Sequence, residues 1–245
     1  MIGLIGLLRS LVVYYGHPLR HTRLKRLYRE FVRPGDLVID AGAHAGNHTR
    51  AFLALGSRVV AVEPQPLFAW FLGRVFGRNH DATILQTALG AQPGRAILQI
   101  SSRTPTVSTL DGGWRGRVGR SPSFRNVRWD RQVEVAVDTL DGMIAALGRP
   151  AFIKIDAEGS EAEILRGLSA PVPALCFEVL PAAMETAPAC IDRLAGLGFQ
   201  RFNWTAGERA KLDPDWVSSN TIKAMLAGLP RGAREYNIFA RCDGL

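Results

Sequence analysis

Six side chains stand where they could do chemistry. Asp40 closes the apolar run Leu37-Val38-Ile39, and Glu63 closes Val59-Val60-Ala61-Val62. Asp156 and Glu158 follow Phe152-Ile153-Lys154-Ile155, and Glu178 sits near the end of Ala174–Val179. His44 lies within the small-residue stretch Ala41-Gly42-Ala43-His44-Ala45-Gly46. Carboxylates at strand ends bind hydroxyls or cations, or take up protons, and an imidazole adds a group that titrates near neutrality. A strand, a glycine turn and a helix opening at Asn47, His48 and Thr49 make half of a nucleotide-binding βαβ unit. Glycines there admit a ligand close to the backbone, and the first amides of the helix attract anions. Glu63 falls where such folds place the acid that binds a ribose diol. The glycine pattern is D-x-G-x-x-x-G rather than G-x-G-x-x-G, because His44 and Asn47 stand where the latter needs glycine. An acid ahead of the glycines repels a pyrophosphate and suits a cationic amino-acid headgroup.

Holding these groups together takes a mostly parallel sheet. Residues 1–33 read as helical, with Leu24, Leu27, Tyr28 and Phe31 on one face and basic residues around the rest. Packing of that face on the sheet is a plainer role than capping a site or resting on a membrane. Pro34-Gly35 ends the segment. After Pro64-Gln65-Pro66 comes a helix from Leu67 to about Phe76, whose aromatics Phe68, Trp70, Phe71 and Phe76 suit packing. A third strand, Ala82–Gln86, leads to Thr87-Ala88, which in such folds borders a base. Arg95–Ile100 and Val133–Val137 alternate, predicting an antiparallel pair at the sheet edge. Between them, residues 101–131 form a long Ser-, Thr-, Gly- and Arg-rich stretch, expected as a lid or substrate wall, the alternative being a disordered insertion.

Further along, Ser160 and Glu163 predict a capping box for a helix to Leu168, with Glu161 favouring its dipole. An acid inside an apolar strand is costly to bury unpaired, so Glu178 calls for a functional role or an ion pair with Lys154. Residues 189–197 read as a helix, and Phe199–Trp204 and Tyr236–Arg241 as strands. No internal repeat is present.

The 245 residues are 47% hydrophobic, ample for one large domain with an appendage. No apolar run is long enough for a membrane span. The opening MIGLIGLL is short and lacks a basic residue ahead of it, so a docking helix fits better than a secretory signal. Three cysteines without CxxC spacing argue against a disulfide framework or zinc site and fit a cytoplasmic protein. The net charge of +8 is uneven. Residues 1–35 hold seven Lys/Arg and one acid, residues 101–131 hold seven Arg and two acids, and the remainder is slightly acidic. Such segments either attract an acidic substrate, nucleic acid or anionic lipid, or are simply a solvated surface.

Four stretches carry a resemblance: Val38–Thr49, Val60-Ala61-Val62-Glu63-Pro64, Val137-Asp138-Thr139-Leu140-Asp141 and Ile153-Lys154-Ile155-Asp156-Ala157-Glu158-Gly159-Ser160-Glu161. In this order and spacing they resemble the FkbM-type class I S-adenosylmethionine-dependent methyltransferases, over about residues 30–180. The donor has a cationic amino-acid headgroup and no phosphate. The resemblance implies a Rossmann-like α/β sandwich with a mostly parallel seven-stranded sheet, its last strand antiparallel. It further implies a methyltransferase domain over 36–245, after a helical appendage at 1–35, and methylation of a hydroxyl oxygen on a small molecule or sugar-containing metabolite.

The cofactor-binding positions it implies are Asp40, Gly42, Ala43, His44, Gly46, Asn47, Thr49, Glu63, Pro64, Thr87, Ala88 and Asp156. Candidates for the catalytic base are Asp156, Glu158 and His44, in that order. Many members carry Asn where this chain has His44, and both residues tolerate left-handed backbone. Asp156 with a second acid has the chemistry of a magnesium site, but no metal is expected. The expected partner is a small-molecule acceptor that can be acidic, with at most weak contact to a membrane surface. A nucleic-acid methyltransferase is the first alternative, weakened by the lack of an Asn-Pro-Pro-aromatic motif. A NAD-dependent oxidoreductase is weakened by the glycine spacing, and a non-enzymatic membrane-surface or scaffold protein is the alternative from outside enzymology.

Overall fold

The computed structural model describes residues 2–17, 19–118, 124–207, 210–229 and 235–244. Met1 and Pro18 of the basic first segment, and 119–123 of the 101–131 segment, lie outside them. Helices α1 (Ile2–Tyr15) and α2 (Arg20–Tyr28) precede β1 (Leu37–Ala41), α3 (Asn47–Leu53), β2 (Arg58–Val62), α4 (Pro66–Phe76) and β3 (Ala82–Leu85). Then come β4 (Ala88–Leu89), β5 (Gly94–Ile100), α5 (Trp114–Val118), β6 (Arg131–Asp138), α6 (Leu140–Leu147) and β7 (Phe152–Ile155). The chain continues through α7 (Glu161–Arg166), β8 (Ala174–Val179), α8 (Ala187–Gly196), β9 (Arg201–Ala206), α9 (Ser219–Ala227) and β10 (Tyr236–Arg241).

Seven strands form the main sheet in the order β3-β2-β1-β7-β8-β10-β9. Six run in one direction, and β10 lies antiparallel to its two neighbours, β8 and β9. This is the Rossmann-like sandwich that the strand-turn-helix pattern implies. Strand β1 is buried throughout, as expected where helices cover both faces of a parallel sheet. Ile39 and Ala41 share one face with Val60, Ile153 and Leu175, beneath α7, α8 and α9. Val38 faces the other way with Val59, Phe152 and Phe239, against Leu24, Leu27 and Tyr28 of α2 and Phe52 of α3. The apolar face of α2 therefore packs on the sheet, as its spacing predicts.

Register decides which side chains meet. Ala41 pairs with Val62 on one side and Ile155 on the other, and Ile155 pairs with Phe177. The residues that follow, Glu63, Asp156 and Glu178, thus emerge together at the C-terminal edge of the sheet.

Three expectations need correction. The antiparallel pair β5–β6 forms, but not on the main-sheet edge; with β4 it makes a separate sheet, β4-β6-β5. The alternating Val133, Val135 and Val137 close their own small core with Ala88, Leu98 and Ile100. The capping box is absent: Ser160 makes no side-chain cap, and Glu163 pairs with Arg166. Glu161 does that work instead, accepting from the Ala157 and Gly159 amides, because Glu158 and Gly159 adopt positive φ and turn those amides back. Trp70 is more than half exposed, its ring under the Arg74 guanidinium rather than in the core.

The three cysteines are free thiols. Among the described residues no helix is long and apolar enough to cross a membrane.

Candidate functional site

A cleft opens at the C-terminal edge of the sheet, with about 680 Å³ of empty space counting its open mouth. Gly42, His44, Glu63, Pro64, Thr87, Ala88, Asp156 and Glu158 line it. All eight are residues the sequence singles out. The remaining positions stand behind this surface. Asp40 is fully buried and takes the Thr49 hydroxyl on Oδ2 at 2.6 Å, while its Oδ1 has no hydrogen-bond partner. Ala43 packs against Leu72 and Phe76. Gly46, at φ +78, hands the chain to α3, and any Cβ there would strike the same two side chains. Asn47 opens into a neighbouring cavity lined by Tyr15, Arg20 and Arg50.

The turn is pinned to both neighbouring strands. The Gly42 and Ala43 amides donate to the Val62 carbonyl at 2.9 and 3.0 Å. Gly42 holds φ +78, and a Cβ there would lie 1.8 Å from the Asp156 carbonyl oxygen, so only glycine lets β1 and β7 approach this closely. His44, at φ +46, donates its backbone amide to Glu63 Oε2 at 2.8 Å. Gln65 donates its own to Glu63 Oε1, also at 2.8 Å. Glu63 is thereby fixed in direction with no cation bonded to it. Burial pushes its carboxyl up to about 7, against the pull of those two amides.

The His44 ring stacks on Phe68 at 4.0 Å and meets Tyr14 edge-on at 5.5 Å. Neither ring nitrogen has a partner. Burial lowers its pKa to about 3, so the imidazole is neutral and behaves as an aromatic wall.

Across the cleft, Lys154 is buried and donates to Asp156 Oδ2 at 2.9 Å. The ion pair the sequence offers to Glu178 thus goes to Asp156, two positions along the chain. Asp156, Glu158 and Glu178 each place an oxygen within 4.8 Å of the others. Like charges this close cannot all persist. Burial would raise Asp156, but Lys154 and a hydrogen bond from Glu178 outweigh it and keep the carboxyl below its ordinary range. Burial and the Asp156 charge hold Glu158 and Glu178 well above theirs. Within this set Asp156 is the group most inclined to stay ionised, paired with the Lys154 ammonium, and Glu158 and Glu178 are the more inclined to hold protons. Oxygen donors of this kind suit magnesium, and Lys154 already supplies one positive charge to the set.

Other lining residues come from places with no motif. Tyr14 arrives from α1, and Thr106, Ser108 and Leu110 from the 101–131 segment. Side-chain bonds tie that segment to both banks of the cleft. Gln65 Nε2 donates to the Pro105 carbonyl at 3.1 Å, the Ser108 hydroxyl donates to Gln65 Oε1 at 3.1 Å, and the Thr109 hydroxyl donates to the Glu158 carbonyl at 2.7 Å. Trp114 packs over Gly159, where a Cβ would approach its ring to 2.4 Å.

The profile of the methyltransferase FkbM domain matches residues 40–190. No curated protein sequence matches the chain at a significant level. Solved structures with similarity include a precorrin-6y C5,15-methyltransferase from Geobacter metallireducens, at 12% identity over 92% of this chain and 88% of that one, with a TM-score of 0.47. A TehB-like S-adenosylmethionine-dependent methyltransferase from Corynebacterium glutamicum is 11% identical over 96% and 94%, TM-score 0.48. An S-adenosylmethionine-dependent O-methyltransferase from Thermotoga maritima is 13% identical over 92% and 65%, TM-score 0.46.

Proposed function

The chain belongs to the FkbM methyltransferase family, and we propose that it transfers the methyl group of S-adenosylmethionine to a hydroxyl oxygen of a small molecule or sugar-containing acceptor. One observation carries this reading: a single cleft holds two carboxylates of opposite character. Glu63 is set in place by backbone amides at one end, and Asp156 is kept ionised by Lys154 at the other.

The residues fit the donor. A ribose diol calls for an acceptor of fixed direction, which Glu63 supplies. A cationic amino-acid end calls for negative charge on that side of the cleft, and Asp40, buried behind the Gly42–Gly46 turn with Oδ1 unpartnered, would act on it through that turn. When bound, the donor supplies an electrophilic sulfonium methyl. Gly42 lets the turn approach the ligand, while Pro64, Thr87 and Ala88 border its nucleoside part. Asp156 receives the acceptor hydroxyl proton, since it is the carboxylate of its cluster most inclined to stay ionised. A base so placed adds about 10²–10⁴-fold, and its weak proton affinity argues for the lower end. Glu158, its proton affinity raised by burial and by the Asp156 charge and its Oε2 unpartnered, is the side chain left to meet a polar group of the acceptor. His44, neutral, excludes water beside Phe68. Alignment of acceptor and methyl, rather than proton removal, carries the larger share of the barrier, roughly 7–11 kcal/mol. Thr106, Ser108 and Leu110 form the substrate wall, and the arginine-rich composition of the 101–131 stretch favours an acidic acceptor. The free thiols suit the cytoplasm.

The test has two stages. Calorimetry with S-adenosylhomocysteine on the wild type and Glu63→Ala, with NADH as control, should give binding that collapses in the variant. Absence of binding to folded wild type would overturn the donor assignment. Turnover with ¹³C-methyl donor and hydroxylated acceptors should then give a methyl resonance characteristic of an ether or ester oxygen. A methyl found on nitrogen or carbon would overturn the oxygen assignment.

A further inference from the structure

The outward side of α1 takes no part in that chemistry. Its inward side packs Leu7 against Ala45 and Phe68, carries Tyr14 into the cleft, and lets the Tyr15 hydroxyl donate to the Ala45 carbonyl at 2.8 Å. Outward it shows Ile5 at 60%, Leu8 at 56%, Val12 at 72% and Val13 at 50% exposure, and Leu19 follows at 54%. Arg9 is exposed among them. Positions 5, 8, 9 and 12 share one helical face, so these aliphatics form a stripe rather than a scatter. Single exposed aliphatics are ordinary on a protein surface; a stripe of them marks a contact.

The surrounding charge identifies the contact. No acid precedes Glu30, while six Lys/Arg do. Arg23 and Arg26 of α2, and Arg29 just after it, are exposed while Leu24, Leu27 and Tyr28 are buried. A second copy of the chain would bring the same positive charge against itself. Anionic lipid headgroups would not, and an apolar helical face in a stretch of chain whose charges before Glu30 are all positive is suited to lie in a lipid interface. With 14 residues, α1 is too short to span a bilayer and long enough to lie on one.

We infer that the outer face of α1 docks the enzyme on an anionic membrane surface, with Leu8 and Val12 in the acyl boundary and Arg9 among the headgroups. The helix that walls the cleft is then the helix that meets the lipid.

The intact chain should sediment with phosphatidylserine-containing vesicles and not with pure phosphatidylcholine, the binding weakening as salt is raised. Arg9→Gln should weaken it about fivefold, the worth of one charge near such a surface. The Leu8→Glu/Val12→Glu pair should weaken it at least about tenfold. S-adenosylhomocysteine affinity, measured on the same samples, should be unchanged, because none of these side chains lines the cleft. Wild type remaining in the supernatant with every vesicle would overturn the inference, as would a double variant that sediments like wild type. Self-association seen by light scattering, abolished in the double variant and unaccompanied by vesicle binding, would assign the face to a second copy and also overturn it. Loss of donor binding in the wild type would count against the proposed function alone.

Discussion

The two acidic ends of the cleft are held in opposite ways. Glu63 is fixed by two backbone amides, and its proton affinity is high. Asp156 is fixed by a buried ammonium one residue before the strand end, and its proton affinity is low because that ammonium and a hydrogen bond from Glu178 outweigh burial. The contrast separates two tasks. Recognising a diol needs direction and tolerates a carboxyl that titrates near neutrality. Accepting a proton or stabilising positive charge needs an anion that persists, and in a buried site this takes a counter-charge.

The harshest way to break the contrast is to remove the ammonium. Lys154→Met should cost about 3–5 kcal/mol in urea denaturation, because it leaves the acidic cluster uncompensated. Adding Asp156→Asn should recover part of that loss, and a strictly additive double variant would show that the two side chains are not coupled. Next, Glu63→Ala should weaken S-adenosylhomocysteine more than about tenfold, the worth of a charge-assisted hydrogen bond, while Glu63→Gln keeps the shape and loses the charge.

The third test uses pH. The diol donates to the ionised form of Glu63, whose carboxyl burial has pushed up to about 7, so binding should release a proton. Affinity should rise about tenfold from pH 6 to pH 8 and lie flat in Glu63→Gln. Without ligand the sign is reversed. Glu63 and Glu161 are both raised to about 7, so their contribution to stability is complete below about pH 4.3 and is lost as pH climbs through 7. The smallest effect belongs to His44→Asn, expected within about 1 kcal/mol, since Asn accepts the left-handed backbone and the amide to Glu63 survives.

How much of this was legible in the sequence follows the range of the forces involved. The turn from Asp40 to Gly46 and the strand ends at Glu63 and Asp156 are local patterns, and register alone brings them to one edge. The proton inventory of Asp156, Glu158 and Glu178 is not local. It depends on which carboxylate reaches Lys154, and Glu178 and Asp156 are equally plausible partners until the geometry is known. Glu161 replaces Ser160 and Glu163 at the helix start because two positive-φ residues, Glu158 and Gly159, redirect the amides, and only glycine announces such a conformation in a sequence. Tyr14 could not be placed at all, because an apolar helix ending in two tyrosines does not say which one faces a cleft. The separate small sheet was missed because Ala88-Leu89 is too short to read as a strand.

The position of β10 bears on time. Although it follows β9 in the chain, it lies between β8 and β9, so the Ala174–Val179 edge must wait roughly 60 residues for its neighbour, about 3–12 s at ordinary elongation rates. Throughout that interval Leu175, Phe177 and Val179 belong to an open edge, the kind of surface on which chains aggregate. A chain interrupted before Tyr236 should accumulate in the insoluble fraction, and one interrupted after Arg241 should not, so the window in which this sheet most needs a chaperone closes only once Tyr236–Arg241 has been made and has slotted between its neighbours.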